Sequence, residues 1–214
     1  MKLLFIGNSH TYYNSMPETV LRLLEATGQK THVTMLTEGG KGLAFHAASP
    51  AAAFNIRCGR YDAIIAQDKA SGFDPALFRD GAKTIKEMAD RAGTPLFLYM
   101  PWAGRAKRDA QGAMTEAYQS FCKSNHCQMA PVGEVFSRIL LSESTELLYH
   151  EDGNHASPVG SYIAAVSIFY TVTGRKRIIN VEEIDDPGVA AGFPAELCQK
   201  IHTEACRMSR LYNG

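Results

Sequence analysis

A serine near the amino terminus lies where a nucleophile could work. The apolar run 3–6 is typical of a β-strand and ends at Gly7, so Ser9 follows the carboxyl end of this strand. In open α/β sheets this edge is where ligands bind. A serine hydroxyl becomes an effective nucleophile only when a base removes its proton. Ser9 is therefore a candidate nucleophile, and the rest of the chain must supply its base and its oxyanion donors.

A carboxylate and an imidazole occur together near the other end of the chain. Asp152 and His155 are three residues apart, just before Ser157 and Pro158, which are typical of the start of a helix. In such a turn the carboxylate can accept a hydrogen bond from Nδ1–H of the imidazole, which leaves Nε2 free to act as a base. The spacing thus predicts that Asp152 and His155 supply what Ser9 lacks.

Oxyanion donors are expected from two further loops. Gly39, Gly40 and Gly42 follow the second strand-like segment, and Gln67 follows the third. Glycines let a backbone N–H approach a reacting atom closely, and a glutamine side chain carries further donors. With the N–H of Ser9 itself, these loops predict an oxyanion site.

These loops belong to an alternating pattern of strands and helices. Strand-like segments cover residues 2–6, 32–36, 62–66, 95–100 and 128–132. Helix-like segments cover residues 16–27, 45–58, 76–92, 110–124, 132–142, 157–173 and 194–212, whereas 177–188 has the composition of a loop. This alternation favours an α/β fold in which helices cover both faces of a parallel sheet.

The composition limits the class of protein. The chain has 214 residues, of which 45% are hydrophobic and 21% are charged, and its formal net charge is zero. We therefore predict one domain over residues 1–214, with 194–212 as a terminal helix packed on the outside and no surface for nucleic acid or membrane. No apolar stretch approaches the roughly 20 residues of a membrane span, and 3–6 is too short for the core of a signal peptide.

The cysteines favour a reduced, cytoplasmic protein. The chain has five, at positions 58, 122, 127, 198 and 206, an odd number with irregular spacing. Cys122, His126 and Cys127 are close in sequence, but no second pair with metal-ligand spacing accompanies them. We expect buried thiols and no metal site.

The order of these motifs resembles that of the SGNH (GDSL-like) hydrolases. The serine block 6–9, the glycine block 39–42 and the Asp-x-x-His block 152–155 follow one another between residue 3 and about residue 173. Asn8 stands where the family usually has Asp. The strand end at Gln67 has no Asn, although the third block of the family normally does.

The resemblance implies a fold and a set of roles. The fold would be a three-layer α/β/α sandwich with a flavodoxin-like five-stranded parallel sheet. Ser9 would be the nucleophile, His155 the base and Asp152 the residue that orients it, with no metal or cofactor. Gly40 fits the family spacing best as a backbone donor, with Gly42 next, and Gln67 would replace the family Asn.

The resemblance also implies a small-molecule ester as the substrate. A short acyl group, with acetyl on a carbohydrate preferred, is one hypothesis, and a lysophospholipase or thioesterase type is another. A non-catalytic ligand-binding protein with the same fold stays open because of the departure at Gln67. His10, Trp102 and Arg105 are candidate substrate-binding residues. For His10 and Trp102 the alternative is packing, with Trp102 filling a hydrophobic gap. The sequence does not indicate an oligomeric state.

Overall fold

Five parallel strands form the sheet of this protein. The computed structural model describes residues 1–214. The strands are β1 (Lys2–Gly7), β2 (His32–Thr37), β3 (Ala63–Gln67), β4 (Leu96–Tyr99) and β5 (Gln128–Ala130). Their order across the sheet is β2-β1-β3-β4-β5, and every neighbouring pair is parallel. This is the flavodoxin-like order, in which the chain changes direction across the sheet between β1 and β3 and leaves a crevice at their carboxyl ends.

Eleven α-helices surround the sheet. They are α1 (Ser9–Tyr12), α2 (Met16–Ala26), α3 (Leu43–Ala47), α4 (Pro50–Cys58), α5 (Pro75–Arg91), α6 (Gln111–Asn125), α7 (Val132–Ile139), α8 (Thr145–Leu148), α9 (Pro158–Thr173), α10 (Pro187–Ala190) and α11 (Ala195–Asn213). Short 3-10 helices cover Tyr13–Ser15, Arg105–Ala110 and Val181–Glu183. None of the helices has both the length and the apolar character needed to cross a membrane.

Each face of the sheet packs against its own hydrophobic core. Alternate strand residues point to opposite faces, so Leu3 and Phe5 belong to one core and Leu4 and Ile6 to the other. The first core is completed by α2, α7, α9 and α11, and the second by α3, α4, α5 and α6. The prediction of a three-layer α/β/α sandwich with a five-stranded parallel sheet is therefore confirmed.

Two predicted segments differ from the structure. The helix expected over 45–58 is two helices, α3 and α4, because Pro50 restricts the residue before it and Ser49 is extended (φ −80°, ψ 122°). The segment 177–188 is not only a loop, since Asp186 accepts hydrogen bonds from the backbone N–H groups of Gly188 and Val189 and begins α10.

The terminal helix covers both a core and a sheet edge. Along α11, Ile201, Ala205 and Met208 are buried in the first core. At its end, the side chain of Asn213 accepts a hydrogen bond from the Met129 N–H and donates one to the Met129 carbonyl, both at 2.9 Å. This pairing satisfies backbone groups of the edge strand β5 that would otherwise be open to another chain.

Candidate active site

Ser9 lies at the carboxyl end of β1, at the first position of α1. Asn8 is extended (φ −132°, ψ −153°), and its side chain accepts a hydrogen bond from the His10 N–H at 3.0 Å. This cap starts the helix directly at Ser9. At this first helical position the N–H of Ser9 has no acceptor within the helix. Both the hydroxyl and the N–H of Ser9 therefore belong to the crevice at the sheet edge.

The structure brings Ser9, His155 and Asp152 into one hydrogen-bonded chain. Nε2 of His155 is 2.7 Å from Oγ of Ser9, and Nδ1 of His155 is 2.5 Å from Oδ2 of Asp152. Because a carboxylate can only accept, Nδ1 carries the proton and Nε2 faces the serine hydroxyl as an acceptor. This arrangement is capable of removing the proton from Ser9.

Backbone donors hold the carboxylate of Asp152 in place. Its Oδ1 accepts hydrogen bonds from the N–H groups of Asn154 at 2.8 Å and His155 at 2.9 Å. Gly153 has a φ of +68°, which glycine adopts without strain and which lets the turn close on itself. Burial raises the pKa of Asp152, but the hydrogen bonds from His155 and from these N–H groups outweigh it and hold the pKa well below its usual range. Asp152 is therefore ionised at neutral pH.

Aromatic rings surround the imidazole of His155. The Tyr13 ring is stacked on it, with centroids 4.0 Å apart and planes 8° apart. The His10 ring is 5.3 Å from His155 and 4.9 Å from Trp102. Burial, and then the neighbouring His155, lower the pKa of His10 to about 4, so this ring is neutral at pH 7. Nε2 of His10 is buried and has no hydrogen-bond partner.

Asn14 connects the serine loop (residues 8–15, after β1) to the histidine turn (residues 150–156, before α9). The sequence did not suggest this role. Its side-chain N–H group donates to the Ala156 carbonyl at 3.1 Å and to Oγ of Ser161 at 2.9 Å. Its backbone is left-handed (φ 51°, ψ 30°), a conformation that Asn tolerates better than most residues. The two loops that carry Ser9 and His155 are thus joined directly.

Trp102 does not line an open cleft, so the prediction that it binds substrate is wrong. It is 1% exposed, and its ring is stacked on Phe136 with centroids 4.7 Å apart. Its indole N–H donates to the Asn154 carbonyl at 3.0 Å. Trp102 therefore fills a hydrophobic gap and supports the turn that carries His155.

Arg105 lies on the outer side of the same turn. Its backbone N–H donates to the Gly153 carbonyl at 2.7 Å, and its guanidinium is 3.9 Å from the carboxylate of Glu146. These contacts place Arg105 beside the histidine turn, and its role toward a substrate stays a prediction.

Gln67 supports the serine loop and offers no surface to a substrate, so its predicted role as an oxyanion donor is wrong. It is 0% exposed. Its Oε1 accepts from the Asn8 N–H at 3.0 Å and from the Thr11 hydroxyl at 2.9 Å, and its Nε2 donates to the Asp68 carbonyl. An oxyanion would need to contact an accessible donor, and these bonds hold the amide beneath the loop instead.

The glycine loop lies next to the serine loop. Lys41 N–H donates to the Glu38 carbonyl, which closes a turn with Gly40 at φ +71° and exposed to solvent. The Asn8 side chain donates to the Lys41 carbonyl at 2.8 Å and ties this loop to β1. Gly42 lies against the side chain of Asp68, where a larger residue would clash. Gly40 therefore remains the candidate backbone donor, whereas Gly42 is needed for packing.

His46 and Tyr99 also hold the end of β1 and the residues after it. Nε2 of His46 donates to the Gly7 carbonyl at 2.7 Å. The Tyr99 hydroxyl donates to the His10 carbonyl at 2.9 Å. With Gln67, these side chains come from three different elements, which no local sequence motif could have revealed.

The comparison with known proteins gives a consistent fold. No protein-family model matches this chain, and no curated protein matches it by sequence. Among solved structures, a protein assigned as an SGNH hydrolase from Slackia heliotrinireducens is 26% identical, with a TM-score of 0.69 over 80% of this chain and 98% of that one. TesA is 12% identical, with a TM-score of 0.67 over 81% and 99% of the two chains. A catalytic mutant of Axe2, an acetylxylan esterase from Geobacillus stearothermophilus, is 14% identical, with a TM-score of 0.64 over 80% and 93%. The chain therefore has the fold of the SGNH hydrolase superfamily.

Proposed function

We propose that this protein is a serine esterase that cleaves small carboxylic esters through an acyl-enzyme. The observation that carries the proposal is the continuous chain from Ser9 Oγ to His155 Nε2 at 2.7 Å and from His155 Nδ1 to Asp152 at 2.5 Å. A serine at a strand end is often only a helix cap, but here Asn8 supplies the capping side chain and leaves the hydroxyl of Ser9 to His155.

The proposed reaction steps follow from the proton on Nδ1 of His155 and from the hydroxyl of Ser9 that faces Nε2. His155 takes the proton of Ser9 as the oxygen attacks the ester carbonyl, and Asp152 stabilises the imidazolium that forms. The backbone N–H groups of Ser9 and Gly40 are the proposed donors to the oxyanion. His155 then protonates the leaving alcohol, and a water molecule, activated in the same way, releases the acid.

Short acyl groups are the substrates that we propose for this site. A groove of about 940 Å³ lies between the end of α9 and α11, at the amino-terminal edge of the sheet and away from Ser9. A pocket of about 10 Å³ beside Trp102 is too small for an acyl chain. Neither of these two cavities offers space for an acyl chain beside Ser9, and we propose acetyl on a carbohydrate as the preferred substrate. The likeness to an acetylxylan esterase supports this choice.

We also propose that His10 borders the bound acyl group. Its ring lies next to that of His155, and its Nε2 has no partner within the protein. The pKa of about 4 keeps the ring uncharged, so it adds no second base at neutral pH.

Covalent labelling distinguishes an esterase from a non-catalytic protein with the same fold. A fluorophosphonate reacts with a serine only when a base activates it. We expect the wild-type protein to gain one phosphonyl group on Ser9 at pH 7.5, and His155→Ala to label far more slowly. The matched control is His32→Ala, which removes a histidine at the far end of β2. Absence of labelling in the folded wild-type protein would favour a binding function.

A further inference from the structure

Two of the five cysteines are paired in space. Cys122 lies in the last turn of α6, and Cys127 lies just before β5. Their sulfur atoms are 3.4 Å apart. The backbone N–H of Cys127 also donates to the Cys122 carbonyl at 3.2 Å, across a turn in which His126 is left-handed (φ 50°). The side chains thus meet because the helix terminus folds the chain back on itself.

This geometry is close to that of a disulfide. A disulfide needs a sulfur separation of about 2.05 Å and Cα atoms roughly 4.4–6.8 Å apart. The backbone hydrogen bond holds the two residues together, and the sulfur atoms must approach from 3.4 Å to about 2.05 Å for the bond to form. No other pair of cysteines in the chain has its sulfur atoms in contact.

The two thiols also differ in a way that suits stepwise oxidation. The hydrogen bond with Cys122 lowers the pKa of Cys127, burial opposes this effect, and the nearby Lys86 supports it. The same hydrogen bond and burial raise the pKa of Cys122. Cys127 is only half-buried, so a small oxidant can reach it, whereas Cys122 is buried behind it. A thiolate that is accessible and lies next to a second thiol is the usual arrangement of a redox-sensitive pair.

We propose that Cys122 and Cys127 form a redox-sensitive dithiol that a hydroperoxide converts into an intrachain disulfide. The sulfur of Cys127 attacks one peroxide oxygen, the O–O bond breaks, and a sulfenic acid and water (or an alcohol) result. The sulfur of Cys122 then attacks the sulfenic sulfur, so that an S–S bond forms, the S–O bond breaks and water leaves. The dithiol loses two electrons and two protons, which the peroxide takes up.

The proposed disulfide is independent of the proposed esterase. Cys127 precedes β5 at the amino-terminal edge of the sheet, whereas Ser9 follows β1 at the carboxyl-terminal edge. The bond would lock the turn around His126 and fix the end of α6 to β5. It changes no residue of the serine site.

Counting thiols tests the proposal. The experiment uses the full chain with the substitution Cys58→Ser. This change removes the exposed thiol that could link two molecules and leaves four of the five cysteines. This variant, in its folded state, is treated with hydrogen peroxide. It is then denatured and alkylated with iodoacetamide, and its mass is measured by mass spectrometry. We expect two alkylated cysteines after peroxide and four after later reduction with dithiothreitol. Trypsin cuts after Lys123, so the oxidised form should give two peptides joined through Cys122 and Cys127.

Adding Cys127→Ser to this background provides the control, because it removes the thiol that the peroxide is proposed to oxidise first. All three remaining thiols should be alkylated with or without peroxide. Four alkylated cysteines after peroxide in the Cys58→Ser protein, or a linked pair that contains Cys198 or Cys206, would overturn the proposal.

Discussion

Asp152 decides which nitrogen of His155 carries the proton. An Asn at this position donates a hydrogen bond to Nδ1 and so favours the tautomer whose Nε2–H faces Ser9, where it cannot act as a base. We expect Asp152→Asn to lower kcat for p-nitrophenyl acetate by roughly 10³–10⁴, with the fold unchanged. Glu151→Gln, a change at the exposed neighbouring position, should keep kcat. Equal kcat values for the two variants would remove Asp152 from the mechanism.

His10 should make the protein less stable in weak acid. Its pKa is about 4 in the folded protein against an ordinary histidine value of 6.5, so the unfolded chain takes up a proton first as the pH falls. Stability is therefore lost between pH 6.5 and about 4, by at most about 1.4 kcal/mol per pH unit. His10→Phe keeps an aromatic ring beside Trp102 and removes the imidazole that takes up the proton in the unfolded chain.

The measurement is denaturant unfolding of both proteins from pH 7 to pH 4. At pH 7 the variant should be at least as stable as the wild type, because it no longer buries an unpartnered nitrogen. Its advantage should then grow by about 2 kcal/mol by pH 5. Parallel stability curves for the two proteins would show that His10 is not held neutral.

Some residues of the site could be found from sequence and others could not. Ser9, Asp152 and His155 lie in short motifs at the ends of predicted elements. Their residue types and spacing are sufficient to indicate a nucleophile, an acid and a base. Burial is not visible in this way, since it depends on packing between distant elements. That is why Trp102, packed on Phe136, and Gln67, closed beneath the serine loop, were given the wrong roles.

At the scale of elements, the serine loop and the histidine turn depend on each other through Asn14. Asn14→Gly keeps the left-handed backbone and removes both side-chain hydrogen bonds to the segment after His155. Small misplacements of a catalytic group are costly, so we expect kcat to fall roughly tenfold or more while KM changes little. Ser15→Gly is the matched control, because Ser15 has the same φ of 51° and no capping hydrogen bond. A loss of kcat that is the same in both variants would assign the effect to backbone flexibility.

Sequence periodicity predicted the elements better than their ends. All five strands lie within two residues of their predicted positions, because apolar runs of strand length between helices leave few alternatives. The break at Pro50 and the short helix α10 were not predicted, although Pro50 and the Asp-Pro-Gly sequence at 186–188 are signals for them. The four-residue helices α1 and α8 are too short to show a period.

At the scale of the whole molecule, a buried polar cluster fastens α10 and α11 to α9. Asp186 and His202 have fully buried side chains 3.0 Å apart, and the Tyr162 hydroxyl lies 2.8 Å from Asp186. The hydrogen bonds from His202 and Tyr162 outweigh burial and lower the pKa of Asp186. This contribution to stability is present above the ordinary pKa of an aspartate and is lost as the pH falls below it.

Removing the carboxylate from this cluster should destabilise the protein without changing its chemistry. Asp186→Ala leaves His202 and Tyr162 buried without their partner, so we expect a loss of about 3 kcal/mol in the free energy of unfolding. Asp185→Ala, at the exposed neighbouring position, should cost less than about 0.5 kcal/mol. Chemical denaturation measures both, and kcat at 25 °C should stay at the wild-type value. Equal stability of the two variants would contradict a structural role for the cluster.

If Ser9 forms a covalent acyl intermediate, the hydrolysis of p-nitrophenyl acetate must depend on its hydroxyl. The comparison is between the wild type, Ser9→Ala and Ser120→Ala, which removes an exposed hydroxyl on α6. We predict that the wild type and Ser120→Ala hydrolyse the ester at the same rate. Ser9→Ala should lose roughly 10⁴-fold or more in kcat. Equal rates for the wild type and Ser9→Ala would show that Ser9 is not the nucleophile.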